Sequence, residues 1–94
     1  MSRHAMKRDA NEPALVALAR TLGAYMVRLD TPCDWLCGYR GDWFPVECKN
    51  PEGKNRLEPA QIEFQTECYK RSLTIRYWRT SSDVLRDLHA KATA

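Results

Sequence analysis

Residues 33–50, which read CDWLCGYRGDWFPVECKN, combine two apolar, strand-like stretches with charged side chains at one end. Asp34 begins the first stretch, and Glu47 and Lys49 stand near the end of the second. If the two stretches pair as a hairpin roughly symmetric about Gly41, these three side chains meet at its open end. Two carboxylates there can hold a hard divalent cation, with an ammonium group beside them. The alternative is an exposed ion pair, which contributes little to stability.

The second stretch separates its apolar side chains from its charged ones. Successive side chains of a strand point to opposite faces of the sheet. Phe44, Val46 and Cys48 therefore share one face, which we expect to lie in the core. Glu47 and Lys49 share the other face and stand side by side.

A third acid, Glu12, begins the apolar face of a predicted helix, three residues before Leu15 and seven before Ala19. We therefore expect Glu12 to point toward the sheet. The alternative is helix capping, because Asp9 and Glu12 have the spacing of a capping box and an acid in the first turn favours the helix dipole. Pro13 would then fall where that register needs an amide, which weakens the capping interpretation.

Gln61 begins a second helical face, three residues before Phe64 and seven before Cys68. It is a candidate site residue on the same grounds as Glu12. The alternative is an amide at the edge of the core with a main-chain partner. Gln65 and Tyr69 lie on the adjacent stripe and could substitute for it.

The pattern of apolar residues, Gly and Pro predicts a mixed α/β fold with the order α-β-β-β-α-β-α. Helices are predicted over residues 11–23, 58–71 and 81–92, and strands over 24–29, 34–39, 43–49 and 73–78. Gly23 is expected to end the first helix, and a tight turn around Gly41 to join the second and third strands. The length fits one domain over residues 9–90, with tails at 1–8 and 91–94.

Charge and cysteine spacing limit the class of protein. The net charge of +3 and the four basic residues in the tail 1–8 suit a polyanionic partner such as nucleic acid, although a solvated tail explains them equally well. The four cysteines, at 33, 37, 48 and 68, contain no C-x2-C pair, so we expect reduced thiols and no zinc site. Because residues 1–10 lack a secretory signal and no stretch approaches eighteen apolar residues, we expect a cytoplasmic protein without a membrane span.

Taken together, the polar residues resemble the active-site pattern of the PD-(D/E)XK nuclease superfamily. More specifically, the chain resembles the small stand-alone virus-type replication-repair nucleases, the VRR-NUC group, over residues 8 to about 88. The segments that carry the resemblance are RDANEP, CDWLCGYRG, VECK and LEPAQIEF, in an αβββαβ order that matches the core of that group. Two residues depart from the pattern. Cys33 stands where the superfamily name has proline, and Glu58 stands where a Ser or Thr helix cap is more usual.

The resemblance implies a restriction-endonuclease-like fold, in which helices flank a central mixed sheet and a C-terminal helix follows. It implies Mg²⁺-dependent hydrolysis of DNA phosphodiester bonds, with Mn²⁺ as a substitute. The expected substrate is branched DNA such as a Holliday junction, and the expected cell is bacterial or phage-infected. Stand-alone members act as homodimers, so a homodimer is expected here.

The resemblance also assigns roles to individual residues. The implied metal ligands are Asp34, Glu47, the backbone carbonyl of Cys48 and, through water or a second ion, Glu12. Lys49 would position the attacking water and stabilise charge in the transition state. Gln61 would orient Lys49 or a phosphate-bound water.

Two further residue sets are expected to contact partners. Candidate DNA contacts are the basic residues Arg40, Lys54, Arg56, Lys7 and Arg8. Candidate interface aromatics are Trp35, Tyr39, Trp43, Tyr77 and Trp78, unless most of them lie in the core. Three alternatives remain open: a DNA-binding module of the same fold without turnover, a flap or single-strand nuclease, and a zinc-stabilised module in which the four thiols converge.

Overall fold

The computed structural model of the chain describes residues 11–50 and 58–93, with side chains as far as Leu88. Its elements are α1 (Glu12–Thr21), β1 (Tyr25–Arg28), β2 (Trp35–Tyr39), β3 (Asp42–Cys48), α2 (Pro59–Lys70), β4 (Arg76–Trp78) and α3 (Ser81–Thr93). The predicted α-β-β-β-α-β-α order of a mixed α/β fold is confirmed. Over the described ranges, no helix is long and apolar enough to cross a membrane.

The four strands form one mixed sheet in the order β1-β2-β3-β4. The first three strands pair antiparallel, and β4 pairs parallel to β3. Arg40 and Gly41 join β2 to β3 with φ angles of 48° and 88°. Positive φ at both positions is typical of a type I′ turn, whose twist matches that of the strands. The register pairs Trp35 with Val46, so the hairpin is nearly symmetric and Asp34 lies at its open end, as predicted.

The first helix ends at the predicted glycine. Gly23 has a φ of 104°, and its N–H donates to the Arg20 carbonyl at 3.0 Å. The Ala24 N–H donates to the Ala19 carbonyl, also at 3.0 Å. These two bonds form a Schellman motif, in which glycine adopts the left-handed conformation without a Cβ clash.

Helices α1 and α3 cover one face of the sheet and form the hydrophobic core with it. The buried residues of this core are Leu15, Val16, Ala19, Ala24, Met26, Trp35, Cys37, Tyr39, Phe44, Val46, Cys48, Trp78, Val84 and Leu88. Full burial of one large aliphatic side chain stabilises the fold by roughly 1.5–3 kcal/mol. The predicted core face of β3 is confirmed, because all three of its apolar side chains belong to this set. The core therefore directs the charged face of β3 to the other side of the sheet.

The fourth strand is shorter than predicted. Helix α2 ends in a second Schellman motif, in which Ser72 has a φ of 59° and the Leu73 N–H donates to the Cys68 carbonyl at 2.9 Å. Since this cap engages Leu73, the prediction that the strand starts at residue 73 is wrong, and β4 begins at Arg76. Among the described strands, it pairs with the Val46–Cys48 end of β3.

Candidate active site

Asp34 is fixed at the open end of the hairpin by main-chain hydrogen bonds. Its carbonyl oxygen accepts hydrogen bonds from the N–H groups of Leu29, at 2.9 Å, and Asp30, at 3.2 Å. One of its carboxylate oxygens, Oδ2, accepts a hydrogen bond from the Cys48 N–H at 2.8 Å. The carboxylate is therefore tied to the middle of the Glu47-Cys48-Lys49 segment, as the symmetric hairpin predicted.

Glu47 is a buried carboxyl group with a strongly perturbed pKa. It is only 3% exposed. Burial, followed by the negative charge of Asp34, raises the pKa of Glu47 from 4.5 to about 7. Attraction to Lys49 and hydrogen bonds from the Asp34 main chain and the Gln61 side chain lower it, but they do not outweigh burial. Glu47 and Asp34 thus form a pair of acids that is costly to charge fully.

Gln61 contacts Glu47 because the start of α2 orients its amide. Gln61 and Glu58 form a capping box, in which the Glu58 N–H donates to Gln61 Oε1 at 2.9 Å. The other end of the amide, Nε2, lies 3.5 Å from Glu47 Oε1. Gln61 therefore has the main-chain partner that the edge-of-core interpretation predicted. Its Nε2 donor also faces the Glu47 carboxylate. The expected orientation of Lys49 by Gln61 has no counterpart among these contacts.

Lys49 is largely buried beside Glu47. It is 9% exposed, and its Nζ atom lies 5.9 Å from the centroid of the Tyr77 ring. Tyr77 is the partner of Glu47 in the parallel β3–β4 pairing, so both stand on the same face of the sheet. The Lys49 N–H donates to the Trp78 carbonyl at 2.9 Å. The ammonium group is thus held near the carboxylates by β4, a contribution that the sequence did not reveal.

Asn11 and Glu12 bring the start of α1 to the same end of the sheet. Asn11 precedes the helix but makes no side-chain cap hydrogen bond. Its Nδ2 instead donates to the carbonyls of Lys49, at 3.1 Å, and Arg79, at 2.7 Å. Glu12 is 5% exposed and accepts a hydrogen bond from Trp35 Nε1 at 2.5 Å. The prediction that Glu12 points inward is confirmed. Asp9, its possible capping partner, lies outside the described residues.

The acids fit a hard divalent cation. Within residues 11–50 and 58–93, no group of three or more His, Cys, Asp or Glu side chains is arranged to hold a metal ion. Mg²⁺ keeps several waters, however, and one or two protein carboxylates are a usual donor set. Asp34 and Glu47 provide two, and the raised pKa of Glu47 indicates a site that positive charge would relieve. These two residues, with the Cys48 carbonyl, could hold the ion.

The zinc-stabilised alternative requires the four thiols to converge. All four are free and buried, and no metal-holding group includes them in the part of the chain that the structure describes. Burial raises the pKa of Cys33 to about 12 and that of Cys37 to about 11, so both thiols stay protonated at neutral pH. The prediction of reduced thiols agrees with the four free cysteines.

The predicted partner residues fall in different places. Arg40 is exposed at the hairpin turn, away from Asp34, while Lys54, Arg56, Lys7 and Arg8 lie outside the described residues. Three of the aromatic residues, Trp35, Tyr39 and Trp78, are in the core and unavailable to an interface, so for them the interface prediction is wrong. Trp43 is exposed, and Tyr77 is half-buried beside Lys49.

Comparisons of the chain with family models, curated proteins and solved structures found no match. The assignment of chemistry therefore depends on the side chains described above. Sequence reasoning missed Asn11, Trp35 and Tyr77, whose contacts join distant segments. Only Asn11 carried a signal, as a potential helix cap whose side chain is used elsewhere.

Proposed function

We propose that this protein is a Mg²⁺-dependent endodeoxyribonuclease with a restriction-endonuclease-like core, and that it cleaves branched DNA such as a Holliday junction. One observation carries the proposal. The hairpin brings Asp34, Glu47 and Lys49 to one end of the sheet, with the Asp34 carboxylate bonded to the Cys48 N–H that lies between the other two. A surface ion pair would leave these groups in water, whereas Glu47 and Lys49 are buried.

Each group has a role in phosphodiester hydrolysis. Mg²⁺ bound at this site would activate water and stabilise negative charge on the phosphate. Asp34 and Glu47 supply the ligands, and Gln61 fixes the orientation of Glu47. The Lys49 ammonium supplies positive charge where the transition state becomes more negative than the substrate.

Glu12 supports the site from the core side. Its carboxylate is held by Trp35, the residue that follows Asp34, and its neighbour Asn11 binds the carbonyl of Lys49. Assistance through water or a second ion, as the resemblance implies, remains a proposal. A homodimer and a cytoplasmic location in a bacterial or phage-infected cell are proposals of the same kind.

A substrate panel tests the function. Labelled Holliday junction, flap, single-stranded and plain duplex DNA are incubated with the protein in Mg²⁺, in Mn²⁺ and in EDTA. We expect incision of the junction with either metal ion and none in EDTA. Preferential cutting of flap or single-stranded DNA would favour the alternative nuclease class. Binding of DNA without incision in either metal would favour the non-catalytic module, and undiminished cutting in EDTA would contradict the metal-dependent mechanism.

A further inference from the structure

Two arginines from different elements lie over the ring of the same tryptophan, next to Glu12 of the candidate active site. The guanidinium carbon of Arg20, in the last turn of α1, lies 5.6 Å from the centroid of the Trp35 ring. The guanidinium carbon of Arg28, at the end of β1, lies 5.8 Å from the same centroid. Both arginines are exposed, whereas Trp35 is buried. The two cations thus form one surface patch over the ring.

The patch adjoins Glu12, the acid on the core side of the sheet, whereas Glu47 faces the other side. Trp35 follows Asp34 in the chain and donates its indole N–H to Glu12. Arg28 precedes Leu29, whose N–H donates to the Asp34 carbonyl at 2.9 Å. Both guanidinium groups lie over the ring whose indole N–H donates to Glu12, so the patch lies next to Glu12.

A cation–π contact does not use the N–H donors of a guanidinium group. A ring holds a guanidinium through its face, while the N–H donors lie in the guanidinium plane and suit phosphate oxygens. Trp35 is the described partner of Arg20. Arg28 also pairs with Asp30 at 3.1 Å, but both side chains are about half exposed, and an ion pair of that kind is weak enough for a phosphate to displace it.

We propose that Arg20 and Arg28, positioned by Trp35, bind backbone phosphates of the DNA that is cut at the site, and that this DNA passes along the α1 and β1 side of the molecule. The inference rests on the proposed nuclease function, and it assigns a DNA-binding patch that differs from the basic residues selected from the sequence. The ligand is the sugar-phosphate backbone, without preference for base sequence.

Binding measurements test the patch separately from catalysis. The anisotropy of fluorescein-labelled junction and duplex DNA is measured in EDTA over a series of salt concentrations. The variants are Arg20→Gln and Arg28→Gln, which keep an aliphatic stem over the ring, and thermal unfolding checks their fold. The matched control is Arg71→Gln, which removes an exposed arginine at the end of α2 that pairs with Glu67.

Each patch variant should weaken DNA binding roughly five- to tenfold near physiological salt and lower the slope of log K against log salt by about one. The control should stay within about twofold of wild type. Wild-type affinity and slope in both folded patch variants would overturn the patch, even if the wild-type protein cleaves DNA. Weakened binding by these variants in a protein that cuts no DNA would support the patch and contradict the nuclease. Absence of wild-type DNA binding would overturn both proposals.

Discussion

At the level of single residues, the burial and the pKa of Glu47 bear most directly on the proposed chemistry. Glu47 is buried, lies next to Asp34, and has its pKa raised from 4.5 to about 7. Such perturbation is common where a side chain is placed for chemistry. In the absence of metal, Glu47 therefore loses its proton near pH 7 in the folded protein but near pH 4.5 in the unfolded chain.

This difference predicts a pH-dependent stability. Below the unfolded pKa of about 4.5, Glu47 is protonated in both states; as pH rises through the folded pKa of about 7, its contribution to stability is lost. In EDTA, Glu47→Gln should therefore be more stable than wild type at pH 8, by at most about 3 kcal/mol, and the difference should shrink toward pH 5. Urea unfolding measures this, with the exposed Glu63→Gln as control. A difference independent of pH would contradict the raised pKa.

Lys49 gives a second prediction at this scale. Because its ammonium is proposed to act mainly on transition-state charge, Lys49→Met should lower the single-turnover rate by at least about 100-fold and change DNA affinity by less than about threefold. Quench-flow cleavage and anisotropy measure the two quantities. Lys70→Met, an exposed lysine paired with Glu67, should match wild type in both. Equal losses of rate and affinity for Lys49→Met would make Lys49 a phosphate anchor instead.

At the level of elements, the site is an assembly of strand ends and helix starts. The hairpin could be predicted because alternation and a turn at Gly41 place Asp34 beside Glu47 whatever the remainder of the chain does. The contacts of Asn11 with Lys49 and of Trp35 with Glu12 could not be predicted. They join residues that are 38 and 23 positions apart in the chain, and no local pattern encodes them. The start of β4 was missed because Ser72 forms a helix cap in a left-handed conformation that favours glycine.

Asn11 links the start of α1 to the ends of β3 and β4, so its replacement should destabilise the fold. Asn11→Ala leaves the carbonyls of Lys49 and Arg79 without this donor and should destabilise the fold by about 1–3 kcal/mol. We also expect slower cleavage, because the Lys49 main chain loses a support. Thr21→Ala, which removes an exposed hydrogen bond at the other end of α1, should change stability by less than about 0.5 kcal/mol. Urea unfolding compares the two, and equal small losses would argue against the link.

At the scale of the whole molecule, the described part of one chain contains one candidate site. Symmetric incision of a four-way junction needs two such sites, which a two-fold homodimer provides. The core accounts for three of the five aromatic residues considered for an interface, and Trp43, at 57% exposed, is the one that remains largely on the surface. The expectation of a dimer therefore depends on the substrate more than on aromatic content.

Sedimentation velocity at micromolar concentration measures the assembly state. We expect a mass of twice the 10.9 kDa chain. A strict monomer that still cuts both strands of a junction symmetrically would contradict the dimer, whereas a monomer that cuts one strand would point to a flap or single-strand nuclease.

Single-turnover cleavage of a labelled four-way junction by Asp34→Asn most directly tests whether the open end of the hairpin is the active site. Asp42→Asn is the matched control, because it neutralises an acid of the same hairpin at the turn end. In saturating Mg²⁺, we predict a loss of at least about 1000-fold for Asp34→Asn, since a carboxylate ligand is replaced by a neutral amide, and a rate within about twofold of wild type for Asp42→Asn. Wild-type cleavage by a folded Asp34→Asn protein would contradict the assignment of the site.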